Sequence, residues 1–424
     1  MKKPPEKFDV VVIGGGPAGM MAAGRAAELG VRVALVEKNQ SLGKKLLLTG
    51  KGRCNITQAE FNDKEFIRKL GKENGKFLFS ALASLGPADV IDFFAARNLK
   101  TKVEKDGRVF PAANISGDVR DSLQKYLREN GVRIIFGAEV RQLETVQNEI
   151  KSIRLKDATI YADKFILCTG GKSYPRTGST GDGYRWAEQL GHTIIKPRPA
   201  LAPIKIKEDW VKDLQGVSLQ NVELKVLQKD KKQESYFGEM LFTHFGLSGP
   251  IVLTASRRVG ELLENGAVVI AIDLEPSLGR EQLDEKLRKD FQKNIHKDFK
   301  NYLQEMLPQK MVEVVIKLSG IEAKKKLNFI TRSERQKLVA LLKNLRMTVE
   351  GTLGYEQAII TSGGVDLREV DSKTLRSKII KNLFFAGEIL DLDGPTGGYN
   401  LQICWSTSYV AGTCAAKGEL RKNL

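Results

Sequence analysis

The stretch DVVVIGGGPAGMMAAGRAAELGVRVALVE, residues 9–37, decides the fold. An apolar, β-branched run ends in glycines, a small-residue segment of helical character closes at Gly30, and a second apolar run ends in an acid. This order of patterns predicts a strand, a helix and a second strand. The chain is therefore expected to begin with the βαβ unit of a Rossmann-like α/β domain.

The glycines of this unit follow the spacing Gly14-x-Gly16-x-x-Gly19, and Glu37 stands 21 residues beyond Gly16. In this context the pattern is a dinucleotide-binding fingerprint, and a glycine-rich turn without a ligand is the weaker alternative. Gly14 permits the tight turn, Gly16 lets a pyrophosphate approach the backbone, and Gly19 allows close helix packing. The helix N-terminus offers unpaired N–H groups to the phosphates. Glu37 is expected to accept hydrogen bonds from an adenosine ribose, which disfavours a 2′-phosphate.

Two later segments favour FAD as the cofactor. The run LFFAGE, residues 383–388, resembles the late strand-and-acid motif of FAD-dependent oxidoreductases, whose acid holds the flavin ribitol; Glu388 replaces the usual Asp. In DGPTGGYNLQ, residues 393–402, glycines lead into a helix predicted to begin near Gly398. A helix N-terminus at this place favours the negative charge that reduction builds on a flavin.

No second glycine fingerprint follows a strand elsewhere in the sequence. Gly50-x-Gly52 and Gly181-x-Gly183 lack that context. We therefore expect no separate nicotinamide domain, and NAD(P)H only as a transient reductant that visits the flavin.

Composition limits the other possibilities. The 424 residues contain four scattered cysteines without a CxxC pair and three histidines without ligand-like spacing, so neither a disulfide framework nor a metal site is expected. The few, scattered cysteines favour a reducing cytoplasm. We expect no membrane association, because no apolar run approaches the roughly 18 residues of a transmembrane helix. The formal net charge of +17 predicts a polyanionic partner, or else only solubility and attraction of an anionic cofactor.

Changes of pattern along the chain predict a discontinuous FAD-binding domain with two inserted parts. Residues 1–195 form its first part and 366–424 its second part. A β domain covers 196–276 and returns at 347–365. A basic helical insert occupies 277–346, where apolar residues from Leu283 to Leu307 recur every fourth position and spiral around a helix.

Four segments together resemble the bacterial aminoacetone oxidase-like FAD-dependent oxidoreductases, a family that includes ribosomal RNA dihydrouridine synthases. They are GKKLLLTGKGRCNIT (43–57), CTGGKSYPRTGSTGDGY (168–184), GEMLFTHFGLSGP (238–250) and FFAGEILDLDGPTGGYNLQ (384–402). The resemblance implies a two-part FAD domain carrying an inserted β barrel and a helical subdomain. It also implies oxidation of small amines, reduction of conjugated double bonds, or reduction of a uridine in large-subunit ribosomal RNA to dihydrouridine.

The resemblance extends the set of expected cofactor-binding residues. Beyond Gly14, Gly16, Gly19 and Glu37, this set contains Lys38, Lys44, Thr49, Gly50, Arg53, Asn55, Val140, Thr169, Gly170, Gly171, Gly387, Glu388, Gly398, Asn400 and Leu401. Within it, Thr49, Gly50 and Asn55 are expected near the flavin. Lys38 and Lys44 are expected nearer the adenosine half, with Arg53 offsetting phosphate charge.

Cys54 and His244 are the catalytic candidates. Between Arg53 and Asn55, Cys54 is a candidate low-pKa thiol that protonates a substrate carbon after hydride transfer; a small residue chosen for fit is the alternative. In this family, the segment that carries His244 projects from the β domain towards the flavin. His244 could therefore orient substrate or donate a proton, and a structural role is the alternative.

Residues 280–346 contain 17 basic and 9 acidic residues, a net charge of +8. Lys286, Lys289, Lys293, Lys297 and Lys300 are predicted to share one helix face, and residues 324–326 are three further lysines. Such a face neutralises phosphates, or it is an ordinary solvated surface. With the family resemblance, we expect hydride addition to C6 of a uracil in ribosomal RNA and protonation at C5. A small-molecule oxidase or C=C reductase and a non-catalytic flavin-containing RNA-binding factor are the alternatives, and the oligomeric state is left open.

Overall fold

The computed structural model describes residues 7–71 and 74–417. The strands are β1 Lys7–Ile13, β2 Val33–Val36, β3 Thr57–Gln58, β4 Thr101–Val103, β5 Arg108–Pro111, β6 Arg133–Ile135, β7 Gln142–Val146, β8 Glu149–Arg154, β9 Thr159–Leu167, β10 Ile194–Ala200, β11 Ile204–Ile206, β12 Ser218–Gln228, β13 Lys231–Thr243, β14 Gly246–Ser248, β15 Val268–Asp273, β16 Leu345–Thr352, β17 Ile360–Val365 and β18 Leu383–Phe385. The α-helices are α1 Pro17–Glu28, α2 Asp63–Leu70, α3 Phe79–Ser84, α4 Pro87–Ala95, α5 Ser116–Glu129, α6 Asp182–Gln189, α7 Trp210–Asp213, α8 Pro250–Leu263, α9 Arg280–Lys293, α10 Phe299–Met306, α11 Gln309–Ser319, α12 Arg332–Lys343 and α13 Tyr399–Lys417. Short 3-10 helices cover Leu46–Gly52, Asn74–Leu78, Pro175–Thr177, Leu327–Phe329 and Leu367–Glu369.

The chain divides into two compact units, residues 1–198 with 359–424 (unit 1) and residues 199–358 (unit 2). Unit 1 is built on the predicted βαβ element. Its sheet has the order β6-β2-β1-β9-β8-β7, with β18 also paired to β9. The strands β6, β2, β1, β9 and β18 are parallel. The predicted Rossmann-like domain is confirmed.

The C-terminal helix α13 explains why unit 1 is discontinuous, since it packs directly on α1. A Cβ on Gly412 would lie 2.5 Å from the carbonyl oxygen of Ala22, so the two helices approach at backbone distance. Arg25 of α1 also donates a hydrogen bond to the Thr413 hydroxyl at 3.0 Å. The last helix therefore completes the core that the first helix begins.

Unit 2 is a closed barrel of strand order β11-β14-β13-β12-β15-β16. The helices α9 to α12 fall between β15 and β16 in the chain, and much of their apolar surface forms a core of its own. The predicted barrel interrupted by a helical segment is confirmed as a fold class. The sequence predicted that the β domain returns over residues 347–365, whereas unit 2 ends at residue 358. The strand β17 pairs with β10 in unit 1, a long-range pairing that local pattern does not reveal.

The four-residue apolar stripe expected on one helix is divided between two. The helix α9 ends at Lys293, α10 begins at Phe299, and Leu287, Phe291 and Phe299 are buried. Ile295 lies in the break and is 41% exposed. A strict four-residue repeat drifts around a helix, so the chain interrupts the helix and keeps most of the stripe inside.

One helical stretch, Asn74–Ala95, is long and apolar enough to cross a membrane by length and composition, which corrects the expectation that none reaches this length. It is interrupted between α3 and α4, where Leu85 and Gly86 have non-helical backbone conformations. Val90 and Phe94 are fully buried in the core of unit 1. The stretch therefore packs as core helices.

Candidate cofactor-binding site

Each of the three fingerprint glycines after β1 is favoured for a different structural reason. Gly14 has φ +104°, and a Cβ there would lie 2.5 Å from the carbonyl oxygen of Cys168. A Cβ on Gly19 would lie 1.7 Å from the carbonyl oxygen of Gly14, so α1 sits against the turn at backbone distance. A Cβ on Gly16 would meet nothing within 4 Å. Gly14 and Gly19 are thus required by packing, whereas Gly16 keeps open the space in front of the α1 N-terminus.

Glu37 is held at the end of β2 by backbone N–H groups. Its carboxylate accepts hydrogen bonds from the Gly15 N–H at 2.6 Å and the Asn39 N–H at 2.7 Å. The Asn39 side chain donates to the same carboxylate and to the carbonyl of Thr177, and Lys44 donates to the Asn39 amide oxygen at 2.9 Å. Glu37 is 7% exposed, so its orientation is fixed by its neighbours.

A cleft in unit 1 runs from the glycine turn to Glu388. Among the predicted cofactor residues, Gly14, Gly16, Glu37, Lys38, Lys44, Val140, Thr169, Gly170 and Glu388 line it. The sequence did not indicate the other polar residues of the lining, namely Asn39, Ser41, Lys45, Glu139, Thr177, Ser179, Asp182 and Trp186. The missed residues come mainly from the turn after Glu37 and from the loop after β9.

The loop after β9 closes over the turn that follows β2. Lys38 donates to the Thr180 hydroxyl at 2.6 Å and pairs with Asp182 at 2.9 Å. Partial burial of Asp182 raises its pKa, but the hydrogen bonds from Thr180 and Lys38 outweigh it and hold the pKa below its usual range. A Cβ on Gly178 would lie 2.6 Å from the Asn39 amide nitrogen. Residues 168–184, one of the four segments that carry the family resemblance, therefore form one wall of the cleft.

Glu388 is fixed by two partners in the cleft. One carboxylate oxygen forms an ion pair with Lys45, and the other accepts from the Thr361 N–H at 2.9 Å. The side chains of Lys45 and Glu388 are 20% and 14% exposed. This acid is the late-motif acid expected from the sequence, and Lys45 is a partner that the sequence did not indicate.

Several predicted cofactor residues do not line the cleft. They are Gly19, Thr49, Gly50, Arg53, Asn55, Gly171, Gly387, Gly398, Asn400 and Leu401. Arg53 pairs with Glu104 at 2.7 Å and lies over the Phe110 ring at 3.9 Å, so its guanidinium is occupied within the protein. Asn400 exchanges hydrogen bonds with the backbone of Gly394 at 2.9 Å. Their contact with a cofactor stays a prediction.

Cys54 differs from the predicted reactive thiol. It is fully buried, with 0% exposure, and it has the left-handed φ of +59°. Burial raises the pKa of the Cys54 thiol to about 12, against a smaller opposite effect of a hydrogen bond with Thr49. The low-pKa prediction is wrong because the side chain has lost its contact with water. Cys404 lines the cleft, and burial raises its pKa to about 12.

The histidines lie in different settings. His244, in unit 2, is exposed on the turn between β13 and β14 and packs edge-on against Phe245 with ring centroids 4.9 Å apart. His192, in unit 1, is 3% exposed and shares a 2.8 Å hydrogen bond with the Ser377 hydroxyl. Within residues 7–71 and 74–417, no group of three or more His, Cys, Asp or Glu is placed to hold a metal ion. The catalytic role of His244 stays a prediction.

The cleft fits the adenosine and phosphate parts of FAD. The open space at Gly16 faces a helix N-terminus, the position at which backbone N–H groups bind phosphate. Two buried polar atoms of cleft residues, the Thr169 hydroxyl oxygen and the Trp186 ring nitrogen, form no hydrogen bond with the described part of the chain. Because buried polar atoms are rarely left unpaired, they indicate a missing polar ligand.

The lysine face predicted on one helix is shorter than expected. Lys286, Lys289 and Lys293 lie on α9. Lys297 and Lys300 lie beyond its end and pair with acids, at 2.7 and 2.5 Å. Exposed pairs of this kind contribute little to stability, so phosphate can replace their acids.

The three lysines at 324–326 are also partly paired. Lys325 forms an ion pair with Glu334 at 2.6 Å, and Lys326 with Asp298 at 2.9 Å. Lys324 forms no ion pair with any described residue. Fewer lysines of the segment are therefore without an acidic partner than the sequence suggests.

Comparison with known proteins identifies the family to which this chain belongs. Residues 8–414 match the family described as HI0933-like protein Rossmann domain. The chain is 32% identical to a ribosomal RNA dihydrouridine synthase of Haemophilus influenzae, covering 94% of this chain and 96% of that protein. It is 31% identical to a 3-dehydro-bile acid delta(4,6)-reductase of Clostridium scindens, covering 96% and 98%. A 3-ketosteroid delta1-dehydrogenase of Sterolibacterium denitrificans shares the fold, with a TM-score of 0.54, 14% identity and coverage of 97% and 99%.

Proposed function

Because the chain belongs to the HI0933-like Rossmann-domain family of FAD-dependent oxidoreductases, we propose that it reduces a uridine of large-subunit ribosomal RNA to dihydrouridine. The observation that carries this proposal is the similarity, over 94% of the chain, to a ribosomal RNA dihydrouridine synthase. The net charge of +8 on residues 280–346 supports it, because such a surface attracts phosphate.

The described residues divide the binding of FAD among themselves. Gly16 and the α1 N-terminus would hold the pyrophosphate, and Glu37 would hold the adenosine ribose. Glu388, held by Lys45 and Thr361, would accept hydrogen bonds from the ribitol hydroxyls. When bound and reduced, FAD supplies a hydride.

Reduction of uracil adds a hydride to C6 and a proton to C5. His244 is the proposed proton donor on the family resemblance of its segment, residues 238–250, because the Cys54 thiol is buried. A base stacked within folded RNA must be unstacked before it reaches a catalytic pocket. The proposed substrate is therefore unassembled or partly assembled RNA in the cytoplasm, with NAD(P)H as the electron donor.

A second candidate function is the reduction of a C=C bond in a small molecule. The relative from Clostridium scindens is named as a bile acid reductase and is 31% identical over 96% of this chain. Under this alternative the substrate is a conjugated enone, and the basic surface of unit 2 has no part in the reaction.

The test compares ribosomal RNA from cells with and without the gene, digested to nucleosides and assayed for dihydrouridine by mass spectrometry. We expect one dihydrouridine to disappear from large-subunit RNA and to return with the wild-type gene but not with a Gly16→Ala gene. Unchanged dihydrouridine would exclude the RNA substrate. If purified enzyme then oxidised NAD(P)H in the presence of a conjugated enone, the small-molecule function would take its place.

A further inference from the structure

The helices α9 and α12 form an antiparallel ridge on unit 2. Lys343, at the end of α12, donates to the carbonyl of Leu278, just before α9. Arg335, the fourth residue of α12, binds Asp284 through two hydrogen bonds of 2.8 and 3.1 Å. The turn before α12 therefore lies beside the C-terminal end of α9.

Phe329 is displayed at this end of the ridge. It is 66% exposed, although its neighbours Leu327 and Ile330 are buried. The 3-10 helix Leu327–Phe329 fixes its backbone, since the Phe329 N–H donates to the carbonyl of Lys326 at 3.0 Å. The next residue back, Asn328, approaches the carbonyl of the 41%-exposed Ile295. An aromatic ring and an aliphatic side chain are thus held open to water on a well-defined backbone.

Cationic residues lie close to Phe329 in the sequence, at Lys324 and Arg332. Arg332 and Lys324 form no ion pair with another described residue. Asp284 interacts with three arginines. The hydrogen bonds of Arg335, together with the charges of Arg332 and Arg288, hold the pKa of its carboxyl below the usual range. The one acid among residues 324–335, Glu334, is paired with Lys325. The charged side chains of this stretch that form no ion pair with a described residue, Lys324 and Arg332, are therefore cationic.

We propose that Phe329 is a stacking platform for an unpaired RNA base, with Arg332 and Lys324 binding the flanking phosphates. This inference rests on the proposed RNA substrate and adds the place where unit 2 grips it. Proteins that bind single strands combine a cationic surface with exposed aromatic rings, since every base offers a face for stacking. A protein partner with an apolar surface would leave the surplus of cations unmatched.

The experiment measures binding of a fluorescent single-stranded RNA oligonucleotide by anisotropy over a series of salt concentrations, using the full-length holoenzyme. Phe329→Ala should weaken binding about 5- to 150-fold at every salt concentration and leave the salt slope unchanged, because stacking releases no counterions. Arg332→Ala should make the salt slope shallower by about 0.7, the value for one lost phosphate contact on a single strand. Phe329→Tyr should bind like the wild type.

Phe237→Ala is the matched control, because Phe237 is 65% exposed but lies on β13 of the barrel. It should bind RNA like the wild type. Equal affinity of Phe329→Ala and wild type, or equal losses at Phe329 and Phe237, would overturn the stacking platform. So would a change in sedimentation of Phe329→Ala, which would assign the ring to contact between copies of the chain. If wild-type protein itself failed to bind or modify RNA, the proposed function would fail first.

Discussion

Replacing Gly16 by Ala should separate cofactor binding from folding. The added methyl group would meet no protein atom within 4 Å, and the φ of −76° at Gly16 suits any residue. Two small effects on the apoprotein oppose each other. Alanine is a poorer N-cap than glycine, which lowers stability. It also lowers the conformational entropy of the unfolded chain, which raises stability by about 0.4–1 kcal/mol. We expect the free energy of unfolding to change by less than about 1 kcal/mol.

The same methyl group should strongly weaken FAD binding. It would stand in the space in front of the α1 N-terminus, where a phosphate accepts backbone hydrogen bonds. A hydrogen bond to a charged group contributes about 1.5–3 kcal/mol, so losing one raises the Kd about 10- to 150-fold. The assay is titration of apoprotein with FAD, followed by flavin fluorescence, with thermal unfolding of each apoprotein measured in parallel.

Two other glycines provide the controls. Gly19→Ala would place a Cβ 1.7 Å from the carbonyl oxygen of Gly14, so it should destabilise the apoprotein itself, by about 1–3 kcal/mol or more. Gly117→Ala, near the start of α5, would make only an ordinary contact at 3.6 Å. It should leave FAD affinity unchanged and stabilise the apoprotein by no more than about 1 kcal/mol. Wild-type FAD affinity in Gly16→Ala would refute the placement of the pyrophosphate.

Three further predictions concern buried or paired side chains. Burial holds the pKa of His192 below its usual value, and Glu369 opposes this shift. As the pH drops below about 6.5, the unfolded chain therefore binds a proton before the folded chain does, and stability should fall. Denaturation curves at pH 7 and pH 5 should show a smaller loss of stability for His192→Gln than for the wild type. Cys54→Ala should slow substrate-dependent reoxidation of reduced enzyme by less than tenfold, whereas loss of a general acid costs about 100-fold or more. Lys45→Met and Glu388→Gln should each destabilise the protein, and a double-mutant cycle should give a coupling of at least about 0.5 kcal/mol; additive effects would show that the ion pair contributes nothing.

The part of the site that sequence predicted is the part that local geometry determines. The turn from β1 into α1 and the acid ending β2 lie within 29 residues, and their spacing requires one arrangement. Lys45 and Trp186 were missed because their places in the cleft depend on contacts between distant segments. Lys44 and Lys45 are adjacent in an irregular turn, so no periodicity indicates which of them reaches Glu388.

Burial was the other quantity that sequence could not supply. The residues around Cys54 are glycine, lysine and arginine, which suggested an open, electropositive thiol, yet the loop folds so that Cys54 joins the core. Likewise, the surplus of lysines in residues 280–346 was visible, but not that Lys325 and Lys326 are paired with Glu334 and Asp298 of the same segment. Charge counts do not reveal which cations are already neutralised.

The most direct test of the account is anaerobic reoxidation of the reduced holoenzyme by RNA. The enzyme is reduced, excess reductant is removed, and unmodified large-subunit RNA is added while flavin absorbance is recorded and dihydrouridine is counted afterwards. We predict that the oxidised flavin spectrum returns and that one dihydrouridine forms for each flavin reoxidised. A flavin that stays reduced with this RNA, but is reoxidised by a conjugated enone, would contradict the account.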